Sequence, residues 1–169
     1  MRSVKLPFPD LARQDHGHIS AADIQPHLTR EVWNSYFKFA FVRNPFDRFI
    51  SAMAFFRPQL FKANAKACIQ EVLFAQKKGR HFLFLPQEHW MKDQAHQFSM
   101  DFVGKYENLS LDFDKIMHHI GLPATSLQPQ NSASHAPYAQ YYDAELTTLV
   151  QQLYQHDFKA FNYPTEIAV

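Results

Sequence analysis

Two consecutive segments of the chain differ in the spacing of their apolar residues. Residues 33–42 (WNSYFKFAFV) are almost continuously apolar and aromatic, and Arg43-Asn44-Pro45 follows them. A run of this length before a breaker predicts a buried strand of the kind found in parallel sheets. Apolar residues then recur at helical spacing, which predicts an amphipathic helix with Asn44 as N-cap and Pro45 as first residue, ending at Pro58. The apolar positions of this helix are Phe46, Phe49, Ile50, Met53 and Phe56.

Strands and helices continue to alternate along the rest of the chain. Ser20 and Asp23 have the spacing of a capping box, so we predict a short helix over residues 21–30. Further helices are expected over residues 64–78 and 86–96, from 108 or 110 to Gly121, and from Asp143 onward; a second strand is expected over 98–106 and a long loop over 122–138. The pattern predicts a single α/β domain over residues 1–169, with a short, mainly parallel sheet flanked by helices.

Composition and charge exclude several classes of function. The 169 residues are 46% hydrophobic and carry a formal net charge of +1, so no basic field indicates a nucleic-acid partner. A single cysteine, Cys68, excludes an intramolecular disulfide and a multi-thiolate zinc site. Residues 1–10 do not resemble a signal peptide, and no apolar run is long enough to span a membrane. The four glycines lie more than ten residues apart, so residues 1–169 contain no glycine-rich phosphate loop.

The turn from the first predicted strand into its helix has the chemistry of an anion site. Arg43 follows the strand, the helix begins with backbone N–H donors at the positive end of its dipole, and Ser51 lies two turns into the helix. An arginine fork, a hydroxyl and N–H donors that converge predict phosphate or sulfate binding. The alternative is that Arg43 or Arg48 pairs with Asp47 and only supports a surface helix.

The segment RNPFDRFIS at residues 43–51 resembles the 3′-phosphate-binding signature of sulfotransferases that use 3′-phosphoadenosine-5′-phosphosulfate (PAPS). The resemblance is greatest to carbohydrate sulfotransferases, both Golgi enzymes and bacterial relatives, and it implies that Arg43 and Ser51 bind the 3′-phosphate. It also includes FVGKYENL at 102–109, the C-terminal segment 141–163, and HGHISA at 16–21. A loop at the position of 122–138 folds over the nucleotide in the family, which makes Ser134 and Tyr138 further candidates for nucleotide contact.

The chain departs from the family at its start. The family begins with a strand and a Pro-Lys-Thr-Gly-type loop that wraps the 5′-phosphosulfate, and nothing in residues 1–35 matches it. We therefore expect a sulfotransferase fold related to P-loop domains, without its first strand and phosphate loop. The strand ending at Val42 should then be covered by residues 1–15 or by a second copy, as a homodimer.

His16-Gly17-His18 resembles the segment that carries the catalytic base of the uronyl 2-O-sulfotransferase branch. The resemblance makes His18 the first candidate base and His16 the second; the alternative is a loop histidine that only binds backbone. Two histidines at i and i+2 could also ligate a metal, but no third ligand lies at a recognisable spacing, so no metal site is predicted.

The resemblance implies metal-free transfer of a sulfuryl group from PAPS to a hydroxyl, with a carbohydrate as acceptor and 3′,5′-adenosine diphosphate as product. The competing interpretation is a catalytically inactive module that binds an adenine nucleotide, a glycan or a partner protein. The resemblance to bacterial relatives implies a cytoplasmic location, and a Golgi membrane location would apply if the chain were part of a longer eukaryotic-type enzyme.

Overall fold

A computed structural model describes residues 8–11, 18–78, 81–123, 125, 127 and 136–167. The chain forms two compact units, the first from residues 1–40 and 87–103 and the second from 41–86 and 104–169. Two short strands, β1 (Phe39–Val42) and β2 (Phe102–Lys105), form a parallel sheet. Eight α-helices occur among the described residues: α1 (Ala21–Ile24), α2 (Arg30–Ser35), α3 (Pro45–Phe56), α4 (Pro58–Ala63), α5 (Ala65–Lys78), α6 (Leu109–His119), α7 (Ala144–Leu153) and α8 (Gln155–Ala160). The fold is therefore α/β, as the sequence predicts.

The first unit contains the predicted capping box. The Ser20 hydroxyl accepts the Asp23 N–H at 3.1 Å, and the Asp23 carboxylate accepts the Ser20 N–H at 2.9 Å. The predicted helix over 21–30 is nevertheless wrong beyond Ile24, because Pro26 lacks an N–H and the chain tightens into a 3₁₀ turn, Gln25–His27.

The predicted strand over 33–42 is wrong in its first half. Trp33, Asn34 and Ser35 belong to α2, because Thr29 caps that helix by accepting the Val32 N–H at 3.2 Å. Lys38 then donates its Nζ to the carbonyls of Trp33 and Tyr36, at 3.2 and 3.0 Å, where the helix ends. The strand is only four residues long, because the apolar run also includes the end of a helix. A continuous apolar run does not by itself distinguish a helix end from a strand.

Two further predictions in the first unit are wrong in extent. The helix predicted over 86–96 is a 3₁₀ segment, Gln87–Met91, followed by a turn in which the Asp93 carboxylate accepts the N–H groups of Ala95 and Gln97. Asp93 thus competes with the helix for the backbone, as aspartate does in turns. The strand predicted over 98–106 keeps only Phe102–Lys105.

The second unit is a helical layer whose core lies along α3. The predicted N-cap is confirmed, because the Asn44 side chain accepts the Phe46 N–H at 2.9 Å and Pro45 is the first helical residue. Asp143 caps α7 and Gly121, with a φ of +73°, ends α6, as predicted, while Asn64 at the start of the helix predicted over 64–78 is the cap of α5. Fully buried side chains from α3, α7 and the 82–84 turn make up the centre: Phe46, Phe49, Ile50, Met53, Phe84, Leu146, Val150 and Tyr154.

Candidate anion-binding site

The candidate site lies in the second unit, where β1 ends and α3 begins. Arg43 follows the last residue of β1, and its Nε donates to the Asp47 carboxylate at 2.6 Å, one helical turn away. The guanidinium also lies over the Tyr106 ring, 4.6 Å from its centroid. An ion pair on one side and an aromatic face on another hold the guanidinium in a defined orientation.

The alternative to an anion site is that Arg43 or Arg48 pairs with Asp47, and the two arginines differ in this respect. Arg43 does pair with Asp47, as the structural alternative foresaw. Arg48 does not: it donates to the Leu83 carbonyl at 3.1 Å and lies 5.7 Å from the Tyr154 ring centroid, so it supports the core. A guanidinium carries five N–H donors, and the Asp47 contact at Nε is one of them.

The N-terminus of α3 offers fewer N–H donors than the sequence suggested. Pro45 has no N–H, the Asn44 side chain takes that of Phe46, and the Arg48 N–H bonds to the Asn44 carbonyl. Asp47 places a carboxylate in the first turn, where it complements the helix dipole. An anion at this point would therefore depend on side chains more than on the helix dipole.

Ser51 lies one turn beyond Asp47 on the same face of α3, since residues four apart in a helix are neighbours. Its side chain is half-buried, and none of the described residues forms a hydrogen bond with its hydroxyl. Asp47 and Ser51 are thus neighbours on α3, and Arg43, which precedes the helix, is joined to Asp47 by its ion pair.

Glu107 supports the site from the segment after β2. One carboxylate oxygen accepts the Asn44 N–H at 2.6 Å and the other accepts the Tyr163 hydroxyl at 2.8 Å. Burial, and then the bond to Glu107, raise the pKa of Tyr163 far above its usual range. Lys105 lies 4.4 Å from the Tyr163 ring centroid and brings a second positive charge to this group of residues.

The segment after the long loop also packs on the first turn of α3. Tyr138 is stacked on Phe46 with ring centroids 6.4 Å apart and an interplanar angle of 7°. Burial, followed by the charges of Asp47 and Glu107, raises the pKa of Tyr138. The Tyr142 hydroxyl donates to the Phe46 carbonyl at 2.9 Å. Tyr138 therefore lies beside the residues around Arg43, whereas Ser134 falls outside the described residues.

The histidine candidates belong to the first unit. His18 is exposed, two residues before the N-cap of α1, and its ring centroid is 5.8 Å from that of Trp90. His16 lies outside the described residues. Within the part of the chain that is described, no three histidine, cysteine, aspartate or glutamate side chains are grouped as metal ligands. No helix in that part is both long and apolar enough to cross a bilayer.

Sequence reasoning named Arg43, Ser51 and Tyr138 as candidates, and it named none of Lys105, Tyr106 and Tyr163, which lie near Arg43 or Glu107. Their signal is weak, because a tyrosine or lysine after a strand is common and the partner is far away in sequence. Glu107 orients the start of α3 through its bond to the Asn44 N–H.

Comparison with known proteins shows which family the chain resembles. An uncharacterized protein of Archaeoglobus fulgidus is 26% identical over 100 residues, which cover 59% of this chain and 80% of that protein. No solved structure matches. The model of the family described as "Sulfotransferase family" matches residues 6–164. The chain belongs to the sulfotransferase family.

Proposed function

We propose that this chain transfers a sulfuryl group from PAPS to a hydroxyl of a carbohydrate, and that residues 1–169 act as one catalytic domain. The observation that carries the nucleotide part is Arg43 at the end of β1, oriented by Asp47 and Tyr106, with Ser51 one helical turn beyond Asp47. A 3′-phosphate would accept from the Arg43 guanidinium and from Ser51, and Tyr138 would border the nucleotide. Family membership supports sulfuryl transfer in general.

The reaction needs one bond to form and one to break. The acceptor oxygen attacks the sulfur of PAPS, the bond from sulfur to the bridging 5′-phosphate oxygen breaks, and 3′,5′-adenosine diphosphate leaves. The proton of the acceptor hydroxyl passes to a base, for which we propose His18, as in the uronyl 2-O-sulfotransferase branch that the sequence resembles. An imidazole suits this step because its pKa ordinarily lies near neutrality.

Calorimetric titration with 3′,5′-adenosine diphosphate tests the nucleotide site. Arg43→Ala should weaken binding by about 1.5–3 kcal/mol, the usual worth of a hydrogen bond to a charged group. Arg57→Ala is the matched control, because Arg57 follows the other end of α3, where it forms an exposed pair with Glu71 and lies 5.2 Å from the Phe56 ring centroid. Equal affinity of the Arg43 variant and the wild-type protein would remove Arg43 from the site.

The assay for the base measures transfer of labelled sulfate from PAPS to a panel of glycans. His18→Ala should lower turnover by about 100-fold or more and leave nucleotide affinity nearly unchanged. Turnover unaffected by the change would place the base elsewhere.

The second candidate function is nucleotide or glycan binding without catalysis. Two observations favour it: Asp47 already engages the Nε of Arg43, and residues 1–169 contain no glycine-rich phosphate loop to stabilise the leaving group. Nucleotide binding by the wild-type protein without transfer to any glycan would support this candidate.

A further inference from the structure

The first unit contains a cavity away from the residues considered so far. Its volume is about 420 Å³, within the range of small-molecule sites, about 300–1,000 Å³. One side is formed by Arg30, Trp33 and Asn34, which lie on one face of α2 at spacings of three and four residues. The remaining lining residues are Gln25, Leu28, Asp93 and Gln94.

Some polar groups of this cavity are bonded to the surrounding turns, and others have no bond to a described residue. The Gln94 N–H donates to the Gln25 side-chain oxygen at 2.8 Å, which ties the 93–97 turn to the 3₁₀ turn. Asp93 uses one carboxylate oxygen for that turn, with bonds of 2.9 Å to the N–H groups of Ala95 and Gln97. Within the described residues, its other oxygen, the Arg30 guanidinium and the Asn34 amide form no hydrogen bond or ion pair.

The composition of the lining indicates a class of ligand. The polar side chains (two glutamines, an asparagine, an aspartate and an arginine) all have planar ends that can bind two adjacent hydroxyls at once. Trp33 supplies a flat apolar surface, fixed by Lys38, whose Nζ lies 5.6 Å from the ring centroid. Arg30 and Asp93 carry opposite charges, so the lining is neutral overall. Uncharged, polyhydroxylated rings with one apolar C–H face fit these features best.

We propose that this cavity is a binding site for a neutral saccharide, with Trp33 against the sugar ring and Arg30, Asn34 and Asp93 on its hydroxyls. Glycan binding is part of the second candidate function, and the proposal rests on it by naming a site for the glycan. Because binding here requires neither the nucleotide nor the transfer step, loss of sugar binding and loss of sulfuryl transfer are measured separately.

Fluorescence of Trp33 gives a direct test. The protein has two tryptophans, and Trp90→Phe leaves Trp33 as the only tryptophan, which is excited selectively over the tyrosines. Maltose, cellobiose and chitobiose are titrated into the Trp90→Phe protein without nucleotide, and at least one should change the emission in a saturable way. In that background, Asn34→Ala or Arg30→Ala should weaken binding about tenfold or more.

Glu31→Ala is the matched control, because Glu31 is an exposed residue of α2 outside the cavity lining, and it should leave the affinity unchanged. Asp93→Asn keeps an oxygen for the turn and removes the charge, so it should weaken binding without unfolding the unit. The far-ultraviolet circular dichroism of each variant is measured to verify folding.

No saturable response to any of the three sugars, or the same affinity in the Asn34 and Arg30 variants as in the control, would overturn the proposal. Saturable binding of glycine or another zwitterion in place of the sugars would overturn it too.

Discussion

Gly104 allows β2 to pack closely against the ring of Phe41. A Cβ atom at position 104 would lie 2.7 Å from Phe41 Cδ1, closer still to Cε1, and 3.1 Å from the Cβ of Asp112. Asp112 is itself fixed, since its carboxylate accepts the Lys105 N–H at 2.8 Å and the Lys115 ammonium at 2.7 Å. The absence of a side chain at 104 therefore sets the position of the residues that follow β2, including Tyr106 and Glu107.

Gly104→Ala should lower the free energy of unfolding by about 1–3 kcal/mol, because the Phe41 ring must move out of a packed position. Urea unfolding followed by circular dichroism measures the change. Phe41→Leu replaces the ring by a smaller side chain and makes room for a Cβ atom at position 104. The double variant should therefore lose less free energy of unfolding than the sum of the two single losses. Full additivity, or wild-type stability of Gly104→Ala, would contradict the steric explanation.

At the scale of elements, the junction of β1 and α3 is the part that sequence predicted best. Asn44, Pro45 and the apolar spacing after them act within a few residues, and the structure confirms the helix they predict. The helix start at Asp143 and the helix end at Gly121 are equally local and equally well predicted. Capping chemistry leaves a mark in the sequence because both partners of each bond are close together along the chain.

Other features depended on partners that sequence spacing does not show. The bond from the Asn44 N–H to Glu107 joins residues 63 positions apart, and that from Tyr163 to Glu107 spans 56. The pairing of Arg43 with Asp47 is local, yet the same spacing also allowed an open anion site. Pattern alone therefore identified the position of the candidate site but not the groups that orient its arginine.

At the largest scale, tyrosine hydroxyls connect distant parts of the second unit. Tyr142 donates to the Phe46 carbonyl and Tyr154 to the Phe84 carbonyl, at 2.9 and 3.1 Å, across 96 and 70 positions. Tyr163 donates to Glu107 and lies 3.3 Å from the Val42 carbonyl, 121 positions away. These bonds fix the C-terminal segments against α3 and the end of β1, so the geometry around Arg43 depends on protonated phenols.

The stability of the protein should consequently decline in alkali. Burial, as the main cause, raises the pKa of both Tyr142 and Tyr163 far above the ordinary value of about 10. Above that value the unfolded chain loses these protons and the folded chain keeps them. The free energy of unfolding is therefore constant in this respect below about pH 10 and falls above it, by up to about 1.4 kcal/mol per pH unit for each group.

Urea unfolding at a series of pH values, on the wild-type protein and on Tyr163→Phe, measures this slope. The variant should be less stable at neutral pH, because Glu107 loses a hydrogen-bond donor, at a cost of about 1–3 kcal/mol. Above pH ~10 its stability should fall less steeply than that of the wild type, since one phenol no longer contributes. Tyr36→Phe is the control, because Tyr36 is 67% exposed and should leave the slope unchanged. An equal slope in the Tyr163 variant and the wild type would mean that Tyr163 titrates alike in both states, and that its bond to Glu107 does not hold the phenol protonated.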